Sequence, residues 1–281
     1  DFRESSMQEI LKSTRINILD VRQQARVNPF RSLQLTPYYT EEAGDTAARL
    51  TEAILDAYRF RGTAQPVHLR RAINLFMQAF PHSTSFANLI SFIEADSERA
   101  AKMEPSLVRL EDLSRLFSGG NGCDWQFDKP GITILQFDTI PDRASQSLIT
   151  ELLLSDLWAD KLQASKDTCP VVVLLDECQR FSFNDSSMLV RILREGRKYH
   201  VNGWFASQWI DNKTAVQALE QAALRGYFYP GDRQVHSLAK VLCSDTSKVR
   251  EYETLIRRLT VGQFLYTDAS GHLLIDCVPR L

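Results

Sequence analysis

Val171-Val172-Val173-Leu174-Leu175-Asp176-Glu177 is an unbroken aliphatic run closed by two adjacent carboxylates. A run of this length with consecutive β-branched residues and no polar alternation reads as a strand buried on both faces, as in a parallel sheet. Its two acids then fall at the carboxyl edge of the sheet, where α/β proteins bind their ligands. On either side the chain alternates. Ile132 to Phe137 reads as a strand, Leu148 to Leu162 as an amphipathic helix, Ser187 to Tyr199 as a helix and Trp204 to Ser207 as a strand. Ala215 to Leu224 then reads as a helix, Tyr227 to Tyr229 as a strand, Val235 to Leu242 and Lys248 to Leu259 as helices, with two last strands near Phe264 and Leu274. Apolar strands alternating with helices predict an α/β chain with a mostly parallel sheet covered by helices on both faces. Val171–Leu175 is expected at its centre, between the strands at 132–137 and 204–207.

Upstream the pattern changes. Ile16-Asn17-Ile18-Leu19 is strand-like and leads to a loop containing Asn28-Pro29-Phe30. From Asp45 to Phe117 the periodicity is helical throughout. Asp45 or Thr46 is placed to cap a helix with Leu50, Ile54, Leu55 and Tyr58 on one face. Pro66 begins a second, bearing Leu69, Ile73, Phe76, Met77 and Phe80. Phe86 to Ile93 and a helix with Leu107, Leu110, Leu113, Leu116 and Phe117 follow, closed by Gly119-Gly120. The division expected is 1–44 and 125–281 as one core, with 45–124 an inserted all-helical subdomain whose own small core holds Phe76, Met77, Phe80, Leu113 and Phe117.

Composition sets the outer limits. The 281 residues are 44% hydrophobic and 24% charged, too apolar for a disordered chain. No run of eighteen apolar residues occurs, so no membrane span is predicted. A formal charge of -2 gives no bulk signal for nucleic acid, though a local basic site remains compatible with it. The five cysteines (Cys123, Cys169, Cys178, Cys243, Cys277) lack C-x-x-C spacing and read as reduced thiols of a cytoplasmic protein, without a zinc site.

Three segments carry chemistry. An apolar strand ending in Asp176-Glu177 is the Walker B arrangement of nucleotide hydrolases: the Asp orients water on Mg²⁺ and the Glu polarises the attacking water. The plain alternative is a strand ending in solvated acids. Arg191, Arg194 and Arg197 recur every three residues, which puts them on one helix face, able to reach a phosphate of a neighbouring subunit or a DNA backbone. A solvated cationic helix end is the simpler reading for any one of them. Gly203-Trp204-Phe205-Ala206-Ser207-Gln208 reads as a strand ending in a polar amide. In a RecA-like sheet such a Gln sits beside the acidic strand and can sense a γ-phosphate, whereas in isolation a Gln after a strand carries no information.

Taken in order, Leu175-Asp176-Glu177, Leu193-Arg194-Glu195-Gly196-Arg197-Lys198-Tyr199 and Phe205-Ala206-Ser207-Gln208 resemble the HerA/FtsK superfamily of DNA-pumping ATPases, including the conjugative type IV secretion ATPases. Asn28-Pro29-Phe30 resembles that family's Asn-Pro loop, and Leu259-Thr260-Val261-Gly262-Gln263-Phe264 its late Leu-x-x-Gly turn. Asp176-Glu177-Cys178-Gln179-Arg180 is similar to the ATPases of phosphorothioation-dependent DNA restriction. The resemblance implies a RecA-like fold with a helical insertion and a ring-shaped ATP-driven DNA translocase or helicase, a homo-oligomer and by resemblance a hexamer. It implies DNA and other subunits of the system as partners, and ATP with Mg²⁺ as cofactors. Asp176 then holds Mg²⁺ through water, Glu177 is the catalytic carboxylate, Gln208 reports the γ-phosphate, and Arg194 or Arg197 acts on a neighbour's phosphate or on DNA.

The sequence departs from that family in one respect. A Gly-x-x-x-x-Gly-Lys-Ser/Thr loop is needed to cradle the phosphates, and no Gly-Lys pair occurs in residues 1–281. Since Asp1-Phe2 reads like the acid-tipped strand that follows such a loop, the expectation is a C-terminal fragment with the loop upstream, inactive and without bound nucleotide on its own. The competing class is a non-catalytic RecA-like scaffold that docks partners. A nuclease based on Pro141-Asp142 and Asp211-Asn212-Lys213 lacks the Glu-x-Lys form and is set aside.

Overall fold

A computed structural model describes residues 14–22, 27–36, 38–58, 64–82, 85–117, 125, 130–140, 142–164, 169–208, 213–243, 245–268 and 271–276. Asp1-Phe2, Gly119-Gly120, Cys123, Pro141, Asp211-Asn212 and Cys277 lie outside the described residues.

The elements follow in the order β1 (Arg15–Asp20), β2 (Gln34–Thr36), β3 (Tyr39–Thr40), α1 (Ala43–Ala57), α2 (Ala64–Ala79), α3 (Phe86–Glu94), α4 (Ser97–Leu116), β4 (Gly131–Gln136) and α5 (Arg143–Gln163). There follow β5 (Val171–Leu175), α6 (Met188–Glu195), β6 (Val201–Phe205), α7 (Lys213–Leu219), β7 (Arg225–Tyr227), α8 (Val235–Leu242), α9 (Val249–Arg257), β8 (Gln263–Asp268) and β9 (Gly271–Asp276). This is an α/β chain with short parallel sheets: β5 pairs with β6 in parallel, Val171 opposite Val201 through Leu175 opposite Phe205, and β1 pairs with β4 in parallel. The carboxyl-terminal strands β7, β8 and β9 are antiparallel. The turn that leads from α9 into β8 needs Gly262, whose φ of 86° suits a residue without a Cβ.

Local chemistry sets the helix ends. Asp142 caps α5 by accepting from Ser145 N at 2.8 Å, and Ser187 caps α6 by accepting from Val190 N at 3.4 Å. The first helix starts at Ala43, ahead of the expected cap. There Asp45 sits inside the first turn and its carboxylate accepts from Glu42 N at 3.0 Å. Helix α4 begins at Ser97, ten residues before the expected apolar pattern, and runs through Pro105. Met103 and Ser106 before and after that proline, with Leu110 and Leu113 beyond, are buried, and their packing offsets the lost backbone bond.

The helical layer does not keep its core to itself. Phe30, Leu50, Ile54, Leu69, Ile73, Phe76, Phe86, Leu110, Leu113 and Phe117 form one buried cluster with Leu148, Leu152 and Leu153 of α5. Phe30 meets Phe76 and Phe86 edge-on, with ring centroids 5.4 and 5.0 Å away, so the Asn28-Pro29-Phe30 loop is anchored in the helical layer. Phe80, expected in that core, is 51% exposed at the end of α2. The far half of α5 (Leu154, Leu157, Trp158) packs instead with Val173, Leu189, Ile192 and Val201 under the β5–β6 pair. A single long helix thus joins the two cores. None of the helices formed by described residues is long and apolar enough to cross a membrane.

Among the described residues the cover over the β5–β6 pair is uneven. Val173 is buried, but its neighbours Val172 and Leu174 face outward, Leu174 being 68% exposed beside Trp204 at 63%. On β1 and β4 Ile16, Ile18, Ile132 and Ile134 are exposed as well, together with Asn17 and Thr133 between them. The strand at 131–136 also pairs with β1 and not with β5. An aliphatic run reports the tolerance of both faces for apolar cover, not the presence of that cover. Leu174→Thr should accordingly change the stability of residues 1–281 by no more than about 0.5 kcal/mol in urea unfolding. A loss of several kcal/mol would mean that Leu174 is covered in solution.

Candidate functional site

The parallel pairing of β5 and β6 continues past both strands. Ala206 N donates to Leu175 O at 2.8 Å, and Cys178 N to Ala206 O at 2.9 Å. These two bonds tie the turn after the acids to the segment that ends in Gln208, so the carboxyl ends of the two strands form one edge. At this edge Glu177 takes φ 51° and ψ 41°, a left-handed conformation that costs a non-glycine residue about 1–2 kcal/mol. Such conformations persist where the surroundings hold them, and they gather at functional sites.

Three contacts hold it, and a fourth ties its turn to the neighbouring strand end. The Asp176 carboxylate accepts from Glu177 N at 2.8 Å. Gln208 Nε2 donates to Glu177 Oε1 at 3.2 Å. Arg180 Nη2 pairs with Glu177 Oε2 across a 3₁₀ turn formed by Cys178–Arg180. Finally, Ser207 Oγ donates to Gln179 Oε1 at 2.8 Å. Asp176 and Gln208 are exposed and Glu177 is half-buried, so the edge is open to a ligand. Cys178 points inward, and burial pushes its thiol up to about 11, so it is an inert core residue.

Sequence reading placed Asp176, Glu177 and Gln208 together, and the structure brings these three side by side. The arginines separate. Gly196 allows the backbone to close on Val201, whose carbonyl oxygen would lie 2.2 Å from a Cβ there, and α6 tightens into a 3₁₀ turn at Gly196–Tyr199. The three-residue spacing therefore does not keep one face. Arg191 stacks on Trp158 at 5.0 Å and donates to Leu35 O at 3.2 Å. Arg194 pairs with Asp185 at 2.6 Å and donates to Gln221 at 3.1 Å. Arg197 is exposed, and no side-chain hydrogen bond or ion pair of it occurs among the described residues.

Two residues that sequence reading passed over belong to this region. Arg180 has a signal in its i,i+3 spacing from Glu177, though only a turn makes it count. Glu151 has none. It lies on α5 beneath the segment that follows the acids, accepts from Met188 N at 2.8 Å, and helps line a small gap with Asp56, Ser147, Thr150 and Ser182. Desolvation, with Asp56 nearby, pushes its carboxyl up to about 7. Asp56 in turn accepts from Ser182 Oγ at 3.2 Å and from the Asn184 amide, which links α1 to the same segment.

As a donor set, Asp176, Glu177 and Gln208 suit a Mg²⁺-bound phosphate ester from one side only. Hard carboxylate oxygens fit metal-bound water and an amide N–H fits a phosphoryl oxygen. The backbone nest and lysine that grip phosphates have no sequence counterpart in residues 1–281.

No family model matches this chain, and no curated protein matches it in sequence. Solved structures do. VirB4 of Thermoanaerobacter pseudethanolicus is similar over 97% of this chain and 84% of its own, with a TM-score of 0.70 at 13% identity. The plasmid coupling protein TrwB in complex with ADP and Mg²⁺ is similar over 100% of this chain and 82% of its own, with a TM-score of 0.56 at 12% identity. At such identity the likeness concerns the fold alone, a RecA-like α/β fold.

Proposed function

We propose that residues 1–281 form the hydrolysing edge of an ATP-driven motor of the HerA/FtsK class, a cytoplasmic DNA translocase or helicase working as a ring of identical subunits. The observation that carries this reading is the meeting of Asp176, Glu177 and Gln208 at the ends of two paired parallel strands, with Glu177 in a left-handed conformation. ATP and Mg²⁺ supply the phosphoanhydride and the metal-bound water. Asp176 orients that water, Glu177 polarises the attacking one, and Gln208 senses the terminal phosphate. Arg197, exposed and without a partner among the described residues, is the arginine free to act on a neighbouring subunit's phosphate or on DNA. Arg194, committed to Asp185 and Gln221, braces the segment that follows the acids. The fold shared with VirB4 and with a coupling protein that binds ADP and Mg²⁺ supports the motor class. The division into a 1–44 and 125–281 core with a 45–124 helical insertion is part of this reading. The likeness of residues 176–180 to restriction ATPases has no counterpart in these neighbours, so the motor class is as far as the reading goes.

On this reading the phosphate cradle is supplied from elsewhere, since residues 1–281 contain no Gly-Lys pair. Calorimetry of this chain with ATP and Mg²⁺ is therefore expected to show no saturable binding at micromolar concentrations, while a polypeptide that adds the loop should bind and turn over ATP, faster with DNA. Tight Mg²⁺-dependent binding by residues 1–281 would reveal an unrecognised phosphate site. A scaffold role is the second reading, favoured by the exposed apolar side chains Leu174 and Trp204 on the β5–β6 pair and Ile16, Ile18, Ile132 and Ile134 on the β1–β4 pair. It requires that the longer polypeptide show no turnover at all.

A further inference from the structure

We propose that Arg180 is a positioning residue that holds Glu177 in a restrained pose, so that the carboxylate polarises water only after this grip and that of Gln208 have been loosened. The proposal rests on the reading of Glu177 as the hydrolytic carboxylate.

Both oxygens of that carboxylate are engaged. Oε1 accepts from the Gln208 amide at 3.2 Å, and Oε2 faces the Arg180 guanidinium. A carboxylate draws a proton from water through its negative charge and a free lone pair. Here a cation compensates the charge, and one donor sits on each oxygen, which leaves each with a single open lone pair of lowered basicity. The two holds are not equivalent. Gln208 lies on the neighbouring strand's extension and is exposed, so its amide can turn to a phosphoryl oxygen, and Oε1 is then free. Arg180 lies on the same turn as Glu177, three residues on, and moves with it. The ordinary reading is a turn stabilised by a half-exposed ion pair. Against this stands the placement: the partner is the one residue of the turn held in a left-handed conformation, and its other oxygen is already bonded across the strands. A pair needed only to close the turn would not need that second hold. The turn already has its own backbone bond, from Phe181 N to Cys178 O at 3.1 Å.

The test uses two arms. In residues 1–281, phenylglyoxal labelling of Arg180 followed by mass spectrometry should accelerate about fivefold in Glu177→Gln, the upper range for a half-exposed ion pair. In the loop-bearing polypeptide, Arg180→Met should raise basal, DNA-independent ATP turnover by a similar factor at unchanged nucleotide affinity. Arg180→Lys, which keeps a cation, should return turnover towards the parent value. Equal labelling rates, or a fall in basal turnover in Arg180→Met, overturn the proposal. If Glu177→Gln leaves turnover intact, the reading of Glu177 as hydrolytic fails. If it abolishes turnover while Arg180→Met lowers it, only the restraint fails.

Discussion

Glu177→Gln in a polypeptide that joins this chain to a phosphate-binding loop is expected to lower ATP turnover by about 10²–10⁴-fold, the range for loss of a positioned acid–base group. Nucleotide affinity should stay close to the parent value. The physical reason is that the carboxylate's charge matters as the attacking water loses its proton, whereas binding rests on the loop and the metal. The amide is close in shape to the carboxylate, still accepts from Gln208 and keeps the left-handed turn. A loss of activity then reports chemistry and not collapse of the edge. Turnover that survives the change would remove Glu177 from the catalytic role, whatever its geometry.

The second large effect is on stability. The Glu151 carboxyl is raised to about 7 in the fold from an ordinary 4.5, because desolvation penalises its charge, with Asp56 adding repulsion against the opposing help of Met188 N and Arg49. A group whose folded value is raised binds its proton more tightly when folded. Its contribution is therefore complete below pH 4.5 and is lost as pH rises through 7. Taken at about 1.4 kcal/mol per unit, the loss amounts to roughly 3 kcal/mol. Glu151→Gln keeps an acceptor for Met188 N and has no charge to bury. It should be more stable than the parent at pH 8 by up to about that amount, and nearly level with it at pH 4.5. Urea unfolding of residues 1–281 at the two pH values measures the difference directly. Equal slopes with pH in parent and variant would show that Glu151 does not titrate across this window.

This second prediction was invisible in the sequence, and the contrast with the first is instructive. Asp176 and Glu177 announce themselves because an aliphatic run must end somewhere, and in a parallel sheet its end is the ligand edge. Glu151 sits in Ser147-Leu148-Ile149-Thr150-Glu151-Leu152, where it reads as an ordinary polar position of an amphipathic helix. Only the approach of Asp56 from α1 and of the Met188 backbone from α6 turns it into a half-buried acid with a raised pKa. Arg191, Arg194 and Arg197 are a similar case. Their spacing promises one face, yet Trp158, Asp185 and the tight turn at Gly196 send them to three different environments.

What this sequence determined by itself was local: the alternation of strands and helices, and the acids and the amide at two strand ends. These depend on backbone propensity and on hydrophobic period over a few residues, which no distant partner needs to supply. The tertiary structure alone decided that β4 joins β1, that α5 serves two cores at once, that Leu174 and Trp204 are exposed on the β5–β6 pair, and that Arg180 and Gln208 close on Glu177. Each of these depends on which segments far apart in the chain come to share a surface. Apolar patterning specifies that a face should be covered, but only packing chooses what covers it.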